Sequence, residues 1–300
     1  MKAKKVFSIS ILTVLINIGN LYSQNNLKYF GLKTPGITPE IFAPDIVSSK
    51  DNFEFSNTFS IDGNDFYFSR RIDDREIILI LTQDKNNKFI LETATFFTKY
   101  SGFEFHISQN SKLYFTRFAP PPGGITNAEN LSRRDAEAQM VNIWVSEKEG
   151  NSWGEPKYCV NGMYVTTSNN GTIYTTNIHE NSLGIAKYTF VDGNYSEGEN
   201  LELDTNLLSA AAHPCIAPDE SYIIFDSKVS FNPDNEDLFV SFSLKNGNWS
   251  KAFNLGETVN TPTTEMCPAL SPDNKYLFYH SQGDIYWVDI NIIEQFRPKE

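Results

Sequence analysis

Five residues of this sequence, two histidines and three glutamates, have the side chains and the spacing to form one chemical site. Each lies near the start of a predicted first strand in a sequence unit that recurs along the chain. They are Glu54, Glu104, His106, His213 and Glu265. Imidazole and carboxylate groups that converge in this way can bind a divalent metal or the hydroxyl groups of a sugar. We expect these residues to face the mouth of a central channel. The competing interpretation is that the channel mouth is polar only because water fills it.

We predict that these five residues bind a ligand without a resident metal or cofactor and without catalysis. The sequence contains no Cys-x-x-Cys metal spacing, no Gly-x-Ser-x-Gly elbow, no His-Glu-x-x-His pair and no phosphate-binding loop. A pair of acids that hydrolyses glycosides stays open as an alternative, because the 37 acidic residues of the chain offer many pairs. No spacing singles out one of those pairs.

The elements that position these residues belong to a unit that returns five times. Each copy has a turn resembling Ser-x-Asp-Gly and then an aromatic-rich strand, and the copies cover residues 60–68, 108–115, 168–174, 217–225 and 271–279. A third strand, a hairpin turn such as Asp192-Gly193 or Asn246-Gly247 and an aromatic start to a fourth strand follow in most copies. A four-stranded unit that recurs about every fifty residues is typical of a β-propeller, since one such sheet cannot bury its faces alone.

We therefore predict an all-β fold, a β-propeller with five four-stranded blades. Six blades are the alternative if one unit has diverged beyond recognition. The fifth unit ends without a fourth strand, because only ten residues follow Ile290. Residues 41–47 match the fourth strands of other units in their position before the next unit. We expect this N-terminal segment to complete the last blade and so remove an exposed sheet edge.

The second unit carries an insertion, residues 118–139. It opens with Ala119-Pro120-Pro121-Pro122-Gly123-Gly124, which is incompatible with a helix or a central strand. It continues with a polar stretch, residues 127–137, that suits a short helix. A loop of this length in a compact repeat is either a functional element or a solvated embellishment, and the sequence favours neither.

The N-terminus predicts export. Residues 1–23 combine Lys2, Lys4 and Lys5 with a short, mainly apolar run and a small residue at Ser23, which is typical of a cleaved signal peptide. The apolar run is too short to cross about 30 Å of hydrocarbon. Residues 24–35 then form a lead-in, and residues 36–300 a single propeller domain. We expect a periplasmic or secreted monomer without a membrane span.

The charge of the chain disfavours some classes of partner. Its net charge of −12 becomes −15 when the three lysines of the signal segment are removed, because 22 basic residues then face 37 acidic ones. An acidic surface of this kind repels nucleic acid and anionic membranes. We expect no nucleic-acid partner.

The chain has three cysteines, Cys159, Cys215 and Cys267, and their places in the repeat predict that all three are small buried residues. Export would permit a disulfide, but an odd number leaves one thiol free. A Cys215–Cys267 bridge between neighbouring blades stays open.

The last two units resemble the WD-like repeat of TolB-type propellers. Ser271-Pro272-Asp273-Asn274-Lys275 followed by Asp284-Ile285-Tyr286 is similar to the Pro-Asp turn and third strand of that family. The glutamate that the family has before this turn corresponds to Glu54 and Glu265, whereas the fourth unit has Ala211. The additional N-terminal domain of TolB has no counterpart here, so the resemblance implies the fold and not a role in envelope assembly.

We predict an exported propeller that binds a protein or a glycan with one face of its disc, because catalytic motifs are absent and one loop is elaborated. The alternative is a carbohydrate-active enzyme, of the glycoside hydrolase or lyase type, that uses the acids at the channel mouth. Two carboxylates about 5–10 Å apart in a deep pocket, with raised pKa values, would favour the enzyme. A shallow mouth with apolar surface on the inserted loop would favour the binding protein.

Overall fold

The computed structural model describes residues 28–73, 75–125, 132–178, 184–203, 210–229 and 232–299. These residues form five four-stranded antiparallel sheets. The innermost strand of each sheet contacts the innermost strands of its two neighbours, so the sheets close into a ring around one axis. The chain is therefore a β-propeller with five blades, and the prediction of an all-β, five-bladed fold is confirmed.

The strands of each blade run alternately up and down from the axis outward. They are, in blade 1, Phe53–Phe59, Phe66–Ile72, Arg75–Gln83 and Phe89–Thr93; in blade 2, Gly102–Ile107, Leu113–Phe118, Val141–Ser146 and Lys157–Asn161; in blade 3, Met163–Thr167, Ile173–Asn177, Gly184–Tyr188 and Glu199–Asn200; in blade 4, Ala212–Ile216, Tyr222–Val229, Asn232–Phe242 and Phe253–Asn254; in blade 5, Glu265–Leu270, Tyr276–Ser281, Asp284–Asp289 and Glu40–Ile41.

Blade 5 takes its outermost strand from the N-terminal segment. Glu40–Ile41 pairs antiparallel with Asp284–Asp289. The Phe42 N–H donates to the Ile285 carbonyl at 2.8 Å, after which residues 45–47 form a turn. The predicted closure is confirmed, although pairing begins one residue earlier than expected and ends sooner.

Aromatic side chains fill the interface that this closure creates between blades 5 and 1. Phe42, Phe59, Phe66 and Phe278 are buried and pack with ring centroids 4.7 to 6.2 Å apart. Tyr29 of the lead-in adds an edge contact to Phe59 at 6.0 Å. Burial of these aromatic side chains stabilises the contact between blades 5 and 1 and so the closed propeller.

A short turn joins the first and second strands of each blade. In blade 1 the Ser60 hydroxyl accepts the Asp65 N–H at 2.9 Å, and the Asp62 carboxylate accepts the Asn64 N–H at 3.2 Å. Gly63 has a φ of 73°, which glycine adopts without strain. The recurring Ser-x-Asp-Gly motif is therefore a structural turn, which explains why it returns along the chain.

The connections lie on two faces of the disc because successive strands alternate in direction. Turns between first and second strands share one face with the hairpins between third and fourth strands, and we call it the turn face. Connections between second and third strands share the opposite face with the segments that lead into the next blade, and we call it the loop face. The insertion joins the second and third strands of blade 2 and therefore lies on the loop face.

The insertion ends in an α-helix, Arg133–Met140, which begins later than the predicted helix over 127–137. Residues 127–131 of the predicted helix lie outside the described residues. The Asn142 side-chain amide donates to the Ala119 carbonyl at 2.7 Å and so ties the start of the insertion to the blade.

Short elements complete the described fold. They are the helices Lys28–Gly31, Thr95–Tyr100 and Ile290–Phe296, the hairpin strands Lys148–Glu149 and Ser152–Trp153, and the hairpin strands Phe190–Val191 and Asn194–Tyr195. No helix in the described ranges combines the length and the apolar character that a bilayer span requires.

Candidate functional site

Each innermost strand carries a bulge close to its start. The bulge residue of every blade has a φ between 44° and 56°, a left-handed conformation that non-glycine residues rarely adopt. These residues are Ser56, Glu104, Tyr164, His213 and Cys267. We call them the plug residues because their side chains make contacts across the axis. Glu104 of blade 2 approaches His213 of blade 4, and the Tyr164 hydroxyl of blade 3 donates to the Pro268 carbonyl of blade 5 at 2.8 Å.

His213 lies between two carboxyl groups in the plug. Its Nδ1–H donates to the Asp226 carboxylate at 2.8 Å, and its Nε2 lies 3.7 Å from Oε1 of Glu104. All three residues are buried. Burial by itself lowers the pKa of His213, but the Asp226 carboxylate outweighs it and raises the pKa well above its usual 6.5. The plug therefore holds an imidazolium between two acidic side chains.

Asp226 also accepts a hydrogen bond that links blades 4 and 5. Its Oδ1 accepts the Cys267 N–H at 3.2 Å. At the equivalent second-strand positions, Thr116 and Thr176 accept the plug N–H of the next blade at 2.9 and 2.8 Å. A neutral hydroxyl is thus sufficient for this link, so the charge of Asp226 serves the contact with His213.

Glu54 and Glu265 lie two residues before the plug residue of their blades. Both are fully buried. Glu54 accepts hydrogen bonds from Arg70 and Ser49, each at 2.7 Å, and Glu265 accepts two hydroxyl hydrogen bonds at 2.7 Å. Burial raises the pKa of both carboxyl groups, and the hydroxyl donors oppose that rise. The structure therefore places these two acids at the start of the innermost strands of blades 1 and 5, where they bind the segments that lead into those blades.

His106 lies on the turn-face side of the plug, two residues after Glu104. Its Nε2 is 3.0 Å from the hydroxyl oxygen of Thr167 in blade 3. Burial lowers the pKa of His106 to about 4, so the ring is neutral near pH 7. The ring lines a cavity of about 60 Å³ around the axis, whose walls extend to the turns of the turn face. We call this cavity the axial chamber.

A ring of partly exposed apolar residues lies on the loop-face side of the plug. Each directly precedes a plug residue, and we call the ring the collar. It consists of Phe55, Phe103, Met163, Ala212 and Met266. The guanidinium group of Arg71 lies over the Phe55 ring, 5.7 Å from its centroid. The loop face therefore presents an apolar rim around a charged centre that is itself buried.

The structure brings Glu104 and His213 of the predicted group into contact and distributes the other three elsewhere. Sequence reasoning missed Asp226, which lies in the middle of a second strand, and it missed the collar. The collar has one feature in the sequence, an apolar residue directly before each bulge. That feature could not predict the collar because the position of a bulge cannot be read from the sequence. Ligand binding by the five residues stays a prediction.

The plug shows neither a metal centre nor a disulfide. In the part of the chain that the structure describes, no three His, Cys, Asp or Glu side chains are arranged to hold a metal ion. Cys159, Cys215 and Cys267 are free thiols, so the open Cys215–Cys267 bridge is not formed. Burial raises the pKa of Cys215 and of Cys267 to about 12, which keeps both thiols protonated and poorly reactive.

The chain matches no protein-family model and no curated protein. Several solved structures are similar in fold. A gluconolactonase from Xanthomonas campestris is 11% identical, with 86% of this chain and 97% of that chain covered and a TM-score of 0.44. TolB from Acinetobacter baumannii is 14% identical, with 79% and 54% covered and a TM-score of 0.46. A thermostable family-43 glycoside hydrolase is 12% identical, with 81% and 90% covered and a TM-score of 0.43. Likeness at this level assigns no function to the chain.

Proposed function

We propose that this protein is an exported propeller that binds a protein or a glycan with its loop face. The observation that carries the proposal is the collar, because it offers one partly exposed apolar side chain from every blade around the axis. Apolar surface that remains in contact with water on a soluble domain marks interaction sites when it is contiguous and rimmed by polar groups. Arg71, stacked on Phe55, provides such a polar edge.

The inserted loop adds to the same face. Phe118, at its start, is 59% exposed, which is unusual for a phenylalanine at the end of a strand. The neighbouring Arg117 guanidinium lies 5.0 Å from the centroid of the Trp144 ring. Exposed aromatic and arginine side chains are enriched in the energetically important part of binding interfaces.

The buried glutamates at the starts of the innermost strands of blades 1 and 5 are poorly placed for glycoside hydrolysis. That reaction needs two carboxyl groups that flank the substrate's glycosidic bond. Glu54 and Glu265 have raised pKa values but are fully buried and hydrogen-bonded within the fold. The axial chamber, at about 60 Å³, is well below the roughly 300–1,000 Å³ of common small-molecule sites. These observations favour surface recognition of an extended partner.

The carbohydrate-active enzyme is the second candidate, and one observation favours it. His213 is held by Asp226 and faces Glu104, so a buried imidazolium that could act as an acid lies beside a carboxyl group directly beneath the collar. Such a pair could move a proton if a substrate opened the plug. If the protein is an enzyme, it should turn over a glycan, and Glu104→Gln should abolish that turnover. If it is a binding protein, it should bind its partner without turnover.

Binding of purified residues 24–300 to a glycan array and to extracellular proteins of the source organism tests the proposal. The variants Phe103→Gln and Met163→Gln remove apolar collar surface. Phe190→Gln is the matched control, because Phe190 is also exposed, at 48%, but lies on a turn-face hairpin. We expect the collar variants to lose at least tenfold in affinity and Phe190→Gln to bind normally. Equal binding by all three variants would remove the loop face from consideration.

Export and the monomeric state are parts of the same proposal. Expression of residues 1–300 should give a processed chain that begins at Gln24 outside the cytoplasm, as read by N-terminal sequencing after cell fractionation. Light scattering of that chain should give a mass near that of one polypeptide. An unprocessed cytoplasmic chain would contradict the export proposal and leave the binding proposal to be tested separately.

A further inference from the structure

The axial chamber is lined entirely by residues without formal charge. Its walls come from the innermost strands of blades 1, 2, 3, 4 and 5 and from the turns that follow them. The polar residues among them include Asn57, Thr58, His106 and Thr166. The chamber lies on the opposite side of the plug from the collar, so a ligand there would be independent of the proposed loop-face partner.

Two threonine hydroxyls of the chamber have free protons to donate. Thr58 Oγ1 accepts the Ile107 N–H of blade 2 at 3.3 Å, and Thr166 Oγ1 accepts the Ile216 N–H of blade 4 at 3.0 Å. A hydroxyl that uses a lone pair in this way still carries one O–H donor. Both hydroxyls therefore bring hydrogen-bond donors to the wall of the chamber.

Asn57 is a buried polar residue that the fold does not explain. It is 4% exposed, and its side-chain nitrogen has no hydrogen-bond partner among the described residues. The equivalent position, one residue after the plug residue, is apolar in the other four blades, where it holds Phe105, Val165, Pro214 and Pro268. An unpaired buried amide destabilises a fold, so its presence points to a partner outside the chain.

We infer that the axial chamber binds the acceptor oxygen of a small uncharged group, such as an amide carbonyl, that enters from the turn face. Its volume of about 60 Å³ fits about four to six non-hydrogen atoms, at roughly 10–15 Å³ for each water-sized occupant. The donors of Asn57, Thr58 and Thr166 select an acceptor and disfavour a cation. Next to the chamber, the carboxylates of Asp226 and Glu104 outnumber the one imidazolium of His213, and this excess of negative charge disfavours an anion.

A second cavity gives the rest of such a ligand a place to lie. It measures about 240 Å³, lies between the turns of blades 1 and 5, and shares Phe59, Ile61 and Pro272 with the axial chamber. On its walls, Asp273 is paired with Lys28 at 3.0 Å. Oδ2 of Asp62, which accepts the Asn64 side-chain amide, can accept a further hydrogen bond from a hydroxyl or amide group. The ligand class is therefore an uncharged molecule with a terminal carbonyl or hydroxyl and further polar hydrogens.

Three probes of nearly identical shape test the charge and the acceptor requirement. Acetamide is neutral, acetate is an anion and acetamidinium is a cation without a free acceptor. Binding is followed by chemical-shift changes of the threonine methyl groups and by saturation transfer to the probe. We expect acetamide to bind at least tenfold more tightly than the other two, with shifts at Thr58 and Thr166. Equal responses to all three probes would overturn the inference.

Two variants test the residues. Asn57→Leu removes the unpaired amide, and we expect it to abolish acetamide binding while the protein becomes no less stable. Thr58→Val should weaken binding about three- to tenfold. Thr176→Val is the matched control, because its hydroxyl also accepts an inter-blade N–H but lies outside the chamber lining. If Asn57→Leu binds acetamide as the unmodified protein does, the Asn57 amide is not what holds the acetamide and the inference is wrong.

Discussion

Two sets of buried acids in this propeller look alike in sequence and differ in their surroundings. Glu54 and Glu265 occupy equivalent positions in blades 1 and 5, and each fastens the segment that leads into its blade. Glu104 and Asp226 occupy non-equivalent positions and meet at one imidazole ring, that of His213. Acids that recur with the repeat are accounted for by the fold. Acids that break the repeat are the better candidates for function.

The difference also appears in how the charges are compensated. Glu54 is matched by the buried Arg70 guanidinium, which in turn donates to the Ile46 and Val47 carbonyls. These hydrogen bonds all lie within one blade and its entry segment. His213 instead connects blades 2 and 4 through a longer contact to Glu104. Glu54 therefore stabilises a local contact within blade 1 and its entry segment, whereas Glu104, His213 and Asp226 link blades across the axis.

The largest expected loss of stability comes from removing the carboxylate of Glu54. Glu54→Ala leaves Arg70 buried without its carboxylate, so we expect a loss of about 3–5 kcal/mol in the free energy of unfolding, measured with urea. The adjacent pair Arg71–Glu76 is the control, because it is half exposed and Glu76→Ala should cost less than about 1 kcal/mol. Similar losses in both variants would show that Glu54 is not a structural acid.

The next largest effect on stability separates the two roles of Asp226, which accepts the Cys267 N–H and pairs with His213. Asp226→Thr keeps an acceptor for the Cys267 N–H, as Thr116 and Thr176 do in their blades. Asp226→Leu leaves that N–H unpaired and should be about 1–3 kcal/mol less stable than Asp226→Thr. Urea unfolding of both variants measures the difference. Equal stability would mean that Asp226 contributes only through His213.

The fold was more predictable from the sequence than the site, and particular residues show why. The Asp-Gly turns and aromatic strands repeat, and the missing fourth strand of the fifth unit pointed to closure near Ile41. The bulge was invisible, because one extra residue in a strand changes which side chains face the axis without altering composition. That is why Glu54 and Glu104 were grouped together although the structure separates them.

The pH dependence of stability tests the charge state of the second set. The pKa of His213 is raised in the folded state, so its contribution is fully present below about pH 6.5 and is lost as the pH rises through the folded-state pKa. The difference in unfolding free energy between the unmodified protein and His213→Gln should therefore fall from pH 6.5 toward pH 9.

His280 provides a control of opposite sign. Burial lowers its pKa to about 4, so its contribution is present above about pH 6.5 and is lost as the pH falls toward 4. His280→Gln should therefore converge on the unmodified protein at low pH. If both histidine variants showed the same trend, the imidazolium between Glu104 and Asp226 would be contradicted.

The smallest expected effect on stability falls on Glu104. Its Oε1 lies 3.7 Å from His213 Nε2, beyond hydrogen-bond distance, and its other oxygen is 3.4 Å from the Thr116 hydroxyl. Glu104→Gln keeps the side-chain volume and an oxygen acceptor near Thr116, so it should change the free energy of unfolding by less than about 1 kcal/mol, in contrast to Glu54→Ala. Urea unfolding of the two variants side by side measures the contrast. A Glu104 that proved as important to stability as Glu54 would make both sets structural, and the plug would then lose its claim to a role in binding or catalysis.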